Sequence, residues 1–121
     1  MYLLDAGRLN KRISIYGYTE ADSGLGSVRT VLTKKASVWA EMYPVRGTEF
    51  LEYYREANQL QYKITIRYRS DITEKDVLVR GDRQFSIQSI IDVNEDHVAL
   101  EIYCTEKKDR VILSEEEEAD E

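Results

Sequence analysis

The feature that most constrains this chain is the two-residue rhythm of its apolar side chains. Tyr62, Ile64, Ile66 and Tyr68 alternate with Lys63, Thr65, Arg67 and Arg69. Successive side chains of an extended strand point to opposite faces, so this segment can bury one face and wet the other, which the 3.6-residue repeat of a helix would not do. The same rhythm recurs along the chain. Ile13 and Ile15 alternate with Arg12, Ser14 and Tyr16, and Val28 to Leu32 is extended again. Ala36, Val38, Ala40 and Met42 then oppose Ser37, Trp39, Glu41 and Tyr43, until Pro44, the only proline, ends the pairing for want of an amide hydrogen. Val77 to Arg80 and Arg83 to Asp92 are strands joined through Gly81-Asp82, with Gly81 suited to the first central position of a two-residue hairpin turn. Phe85, Ile87 and Ile91 are expected on one face of the second of these. Asn94-Glu95-Asp96 turns the chain, and Val98, Leu100, Ile102 and Cys104 make the last inward row. Residues 19 to 27, with Gly24 and Gly26 among short polar side chains, are expected as a loop or wide hairpin end.

The rhythm breaks once. Phe50, Leu51, Tyr54 and Ala57 stand at i, i+1, i+4 and i+7, one stripe of a short helix within residues 46 to 58. Thr48 suits its N-cap, and Glu49 falls in the first turn, where the helix dipole favours negative charge. The pattern implies a mainly-β fold: a small barrel or sandwich of six to seven antiparallel strands with one short helix inserted, over residues 1–106. A chain of 121 residues suits one core of this kind and leaves no room for a second.

Residues 107–121 are expected as a disordered acidic tail. From Glu106 onward there are 8 acidic and 3 basic residues, which leaves 15 acidic and 14 basic in the body. The net charge of −6 therefore sits mostly at the C-terminus, and a nearly neutral body argues against gripping duplex phosphates. Val111-Ile112-Leu113, just ahead of the acidic run, either packs on its own barrel or docks on a neighbour by strand addition.

Chemistry finds few candidates. The one histidine, His97, lies beside a turn, and the one cysteine, Cys104, has the alternating neighbours of a buried, inert thiol. Neither a His/Cys zinc set nor a disulfide can be built from them, no calcium-loop spacing or phosphate loop is present, and no cofactor, metal site or catalytic residue is expected. Arg80-Gly81-Asp82 spells an adhesion tripeptide, but a hairpin turn explains the same residues. Lys63, Arg67 and Arg69 share a strand face with Thr65, which leaves open a barrel that binds single-stranded nucleic acid, although Tyr62 and Tyr68 lie on the opposite face. No apolar run approaches the ~20 residues of a membrane span, and the start lacks a signal peptide, so synthesis in the cytoplasm and no membrane partner are expected. Tyrosine is over-used, at nine residues against two phenylalanines and one tryptophan. It pairs large contact area with a polar tip, as interfaces require. Tyr43, Tyr53 and Tyr54 cluster around the expected helix, whose single stripe cannot bury both of the last two.

Several segments, in order, carry a resemblance. Gly7-Arg8-Leu9-Asn10-Lys11-Arg12-Ile13-Ser14-Ile15, Val38-Trp39-Ala40-Glu41 with Gly47-Thr48-Glu49-Phe50, Ile66-Arg67-Tyr68-Arg69, and Arg83-Gln84-Phe85-Ser86-Ile87 resemble the phage head-tail joining family over about residues 7 to 106. The resemblance implies a head-closure or head-tail connector protein and no reaction. Copies would form a ring under the portal and adaptor, retain packaged DNA that passes the lumen without sequence-specific binding, and present the tail attachment surface. The place implied is the virion neck, after synthesis in the host cytoplasm. The segment from Tyr43 to Asn58 would project toward the channel or the adjacent subunit, with Tyr43, Arg46, Glu49, Phe50, Tyr53 and Tyr54 as interface residues. A ring subunit should also expose strand edges. The acidic tail departs from the family's short ending. Another tail-completion ring protein remains an alternative within this class.

Overall fold

The structure, a computed structural model, describes residues 3–22, 28–45 and 61–107. Six strands succeed one another, β1 (Lys11–Asp22), β2 (Val28–Pro44), β3 (Gln61–Arg67), β4 (Val77–Arg80), β5 (Arg83–Asp92) and β6 (Ala99–Glu106). They close into an antiparallel barrel in the order β1-β2-β3-β6-β5-β4. Closure rests on the short pairing Ser14↔Val79, Ile15↔Leu78 and Tyr16↔Val77 between β1 and β4. The open choice between barrel and sandwich is thus resolved as a barrel. Two 3-10 turns, Ala6–Arg8 and Val93–Glu95, are the helical elements among the described residues.

The alternating apolar rows supply the interior. Ile13, Ile15, Ala40, Ile64, Ile66, Leu78, Phe85, Ile102 and Cys104 are at most 1% exposed and form one cluster. Each large side chain among them contributes about 1.5–3 kcal/mol of burial free energy. Ile64 faces Met42 on one side and Ile102 on the other, so the clean alternation of β3 runs between two strands of matching phase.

Two irregularities move side chains from where simple alternation puts them. The β1–β2 register steps from Ile15↔Ala36 to Tyr16↔Lys34, leaving Lys35 as an extra residue in β2. A bulge of this kind bends the strand and shifts its facing by one. Val28 to Leu32 and Ala36 to Val45 are consequently one long strand rather than two, ending at Pro44. Residues 19–22, expected in a loop, belong to β1, which continues past the closure as a two-stranded ribbon with β2. Cross-strand pairing explains why, since the Thr19 and Thr33 hydroxyls hydrogen-bond at 2.7 Å and give polar residues a place in the ladder. The second bulge lies in β5, where Ile87↔Cys104 gives way to Ser89↔Tyr103. The phase flips there, so Ile90 packs against the core and Ile91, expected inward, is 46% exposed. Gly81 takes φ +62° at the β4–β5 turn, which only glycine adopts freely.

β3 and β4 are not neighbours in the barrel, so the segment between them must cross one barrel end. Ile72 drops from it into the core. Lys35 pins it, donating from Nζ to Asp76 Oδ2 at 2.8 Å and to the Asp71 carbonyl at 2.6 Å. Asp76 Oδ2 also accepts from the Thr73 amide at 3.0 Å. A methyl group on Gly17 would stand 3.1 Å from Lys35 Cδ and 3.3 Å from Asp76 Oδ1, so glycine leaves room for this latch. The helix expected within residues 46–58 and the tail expected beyond residue 107 lie outside the described residues.

Candidate functional site

On the outer wall of β1, β2 and β3 the sequence has placed large aromatic groups where a solvated strand face would be polar. Trp39 is 54% exposed and Tyr43 41%, two pleats further along the same face of β2. Arg12 sits directly across from Trp39 in the ladder and lays its guanidinium 4.9 Å from the indole centre. Lys63 is the ladder partner of Tyr43, with its ammonium 5.6 Å from that ring. Between the two aromatics Glu41 holds Arg8 at 2.7 Å. Lys63 also pairs with Glu101 at 3.4 Å. Burial alone would lower the Lys63 ammonium, but Tyr43 and the Glu101 carboxylate outweigh it and raise the group, so it stays charged at neutral pH. The patch thus presents aromatic faces braced by two cations, of which Lys63 is itself paired with a carboxylate.

The other barrel end, where Pro44 pairs with Tyr62, is closed by polar side chains pointing inward along the same rows as the core. Arg83 donates to both Glu106 carboxylate oxygens at 3.2 and 3.0 Å and to the Tyr62 hydroxyl at 3.2 Å. The Glu106 contact raises its pKa further and fixes its charge. Tyr62 meets Phe85 edge to face at 5.4 Å. Arg80, from the tripeptide, turns to the Met42 sulfur at 3.7 Å. Arg69 is held by Asp71 through two bonds at 2.9 and 2.8 Å, which depresses the Asp71 carboxyl.

At the crossing end, a cleft of about 460 Å³ opens between the ribbon and the latch, lined by Gly17, Thr19, Thr33, Thr73 and Lys75 among others. His97 caps the turn before β6. Its amide donates to Asp92 Oδ1 at 3.0 Å, its Nδ1 meets Asp92 Oδ2, and its ring stacks on Tyr68 at 4.5 Å. These contacts stabilise three residues in the left-handed region, Asn94, Glu95 and His97 itself. Burial pushes the Cys104 thiol up to about 12, as suits an inert core residue. Among the described residues, no three His, Cys, Asp or Glu side chains gather where a metal ion could be held.

Of the six sequence-chosen interface residues, Tyr43 lies on the aromatic patch, while Arg46, Glu49, Phe50, Tyr53 and Tyr54 fall outside the described residues. Sequence reasoning missed Trp39 and Arg12. The signal was present, since Trp39 stands on the row with Ser37 and Glu41 rather than with Val38 and Ala40.

The family model of the phage head completion protein matches residues 4–107. This chain belongs to that family. The match covers the whole barrel and agrees with the resemblance read over residues 7 to 106; it gives the chain a structural role in phage head completion. No curated protein matches. Among solved structures, a chain in the virion of a native gene transfer agent particle shares the fold at 19% identity and a TM-score of 0.58, over 81% of this chain and 94% of that one. A protein from Shigella flexneri 2a, solved in solution, shares it at 23% identity and a TM-score of 0.67, over 88% of this chain and 100% of that one.

Proposed function

We propose that this protein closes the filled phage head as one subunit of a ring beneath the portal and adaptor, retains the packaged DNA and offers the surface to which the tail attaches. The observation that carries the reading is the exposed Trp39, braced by Arg12 and succeeded along β2 by Tyr43. Tryptophan, tyrosine and arginine dominate the energetics of protein interfaces, and an indole this exposed is stabilised when a partner covers it. Barrel closure removes free edges from the wall, but the ribbon keeps them. β4 pairs with β1 only at residues 14–16, and β3 pairs with β2 only at residues 40–44, among the described residues. Edges and aromatic patch therefore share one strand, as a contact between neighbouring subunits would use. A gene transfer agent virion that contains a chain of the same fold supports a place in an assembled particle.

The lumen reading draws on charge. Arg8, Lys35, Lys63, Arg69 and Arg83 each have a carboxylate partner, and the 15 acidic and 14 basic side chains of residues 1–105 nearly balance, so the body offers phosphates little net positive charge. The same pairs argue against the single-strand-binding alternative. Residues 43–58 are proposed as the segment that reaches the channel or the next subunit. Filled heads of the source phage made without this protein should lose their DNA to nuclease and resist it once purified protein is added. Heads that hold their DNA equally well without it would refute the retention role.

A further inference from the structure

The barrel has an apolar cluster on its outside as well as its core. Tyr16, Leu32, Val77 and Val79 are no more than 6% exposed, yet their strand neighbours Ile15 and Leu78 are the ones that point inward. Ladder neighbours flank a side chain on the outer face of a sheet and do not roof it. Burial this complete needs a cover.

Lys107 marks where the cover comes from. Its amide donates to the Gln84 carbonyl at 2.7 Å, and Gln84 is the ladder partner of Val79. Its ammonium reaches the Tyr18 hydroxyl at 3.0 Å, and Tyr18 is the ladder partner of Leu32. The two ties straddle the cluster, so Lys107 itself spans it where the described chain ends. The next apolar residues in sequence are Val111, Ile112 and Leu113. Four to six extended residues reach ~13–20 Å, and strands lie ~4.8 Å apart, so these residues can arrive over β4, β1 and β2 without strain.

We propose that Val111-Ile112-Leu113 docks on this outer face of its own chain, as a strap across β4, β1 and β2 covering Tyr16, Leu32, Val77 and Val79. The family match ends at residue 107, so the proposed strap lies outside the matched residues.

The test is methyl nuclear magnetic resonance on the full chain. The Ile112 and Leu113 methyls should show close contacts to those of Leu32, Val77 and Val79. In a mixture of labelled and unlabelled chains these contacts should appear within chains. Contacts found only between chains, which would make the segment an arm for a neighbour, or no contacts at all, would overturn the proposal. In Ile112→Asp, the Leu32 and Val79 methyl signals should move while those of Ile64 and Ile102 in the core stay. Unmoved Leu32 and Val79 signals would also overturn it. The contacts in the unaltered chain decide the matter even if the variant folds poorly.

Discussion

Removing the Asp76 carboxylate tests whether one buried ion pair holds the crossing segment over the barrel end. Asp76 Oδ2 accepts from Lys35 Nζ at 2.8 Å and from the Thr73 amide at 3.0 Å, and the residue is buried. Breaking a fully buried pair costs about 3–5 kcal/mol. Lys35 is about one-third exposed and keeps the Asp71 carbonyl at 2.6 Å, so its ammonium can rehydrate and the loss falls to about 2 kcal/mol. The orphaned Thr73 amide adds about 1 kcal/mol. Asp76→Ala should therefore lose about 3 kcal/mol, and Asp76→Asn, whose amide oxygen still accepts from Thr73, about 2 kcal/mol. For a domain near 100 residues that difference from wild type is about 10–20 °C in Tm for the alanine variant. Thermal unfolding monitored by circular dichroism measures it, with urea titration to check that the m-value is unchanged. An alanine variant melting within about 3 °C of wild type would show that the latch does not hold the segment, and equal losses in both variants would remove the Thr73 contribution from the reasoning.

Cys104 should be inert while the protein is folded. With its pKa near 12 against an ordinary 9.0, alkylation at pH 8.5 should be on the order of 10³-fold slower than in urea, as mass spectrometry would record. The folded value lies above the unfolded one, so the thiol's contribution to stability is whole below pH 9.0 and fades as pH rises toward about 12. Trp39→Ala should change folding stability by less than about 1 kcal/mol, because the indole is half in water, yet weaken assembly about 30-fold, or about 2 kcal/mol. Analytical ultracentrifugation with the partner ring would read this, and unchanged assembly would remove Trp39 from the interface. Val45 donates to the Gln61 carbonyl at 2.8 Å, so the ends of β2 and β3 adjoin and a short Gly-Ser linker can replace residues 46–58. The variant should melt like wild type and fail to keep DNA in the head; infectious, DNA-filled particles carrying it would refute a channel role for that segment.

Much of this fold was legible because burial is coupled to alternation. The rows Tyr62-Ile64-Ile66 and Leu100-Ile102-Cys104 read directly as inward faces, and Gly81 as a hairpin turn. The bulges at Lys35 and Gln88 were not legible, since an extra residue leaves no mark on composition and reveals itself only as a slipped register. Simple alternation therefore puts Ile91 on the wrong face and divides β2 in two. Closure was equally hidden. It depends on Ser14 to Tyr16 meeting Val77 to Val79 across half the length of the chain, which no local pattern encodes. The aromatic patch is half legible: the tyrosine excess points to Tyr43, whereas Trp39 reads as one more strand residue and is marked only by breaking the polar row of Ser37 and Glu41. The outer cluster at Leu32 needed the structure, because consecutive buried residues read the same whether both faces are covered or the strand is irregular.

The most direct test of the central claim is electron microscopy of this protein mixed with the portal and adaptor of its own phage. Closed rings of this barrel stacked below the adaptor, with the Trp39 face of each subunit against its neighbour, are the predicted result. A protein that stays off the assembly, or joins it as single copies with Trp39 facing solvent, would contradict the account.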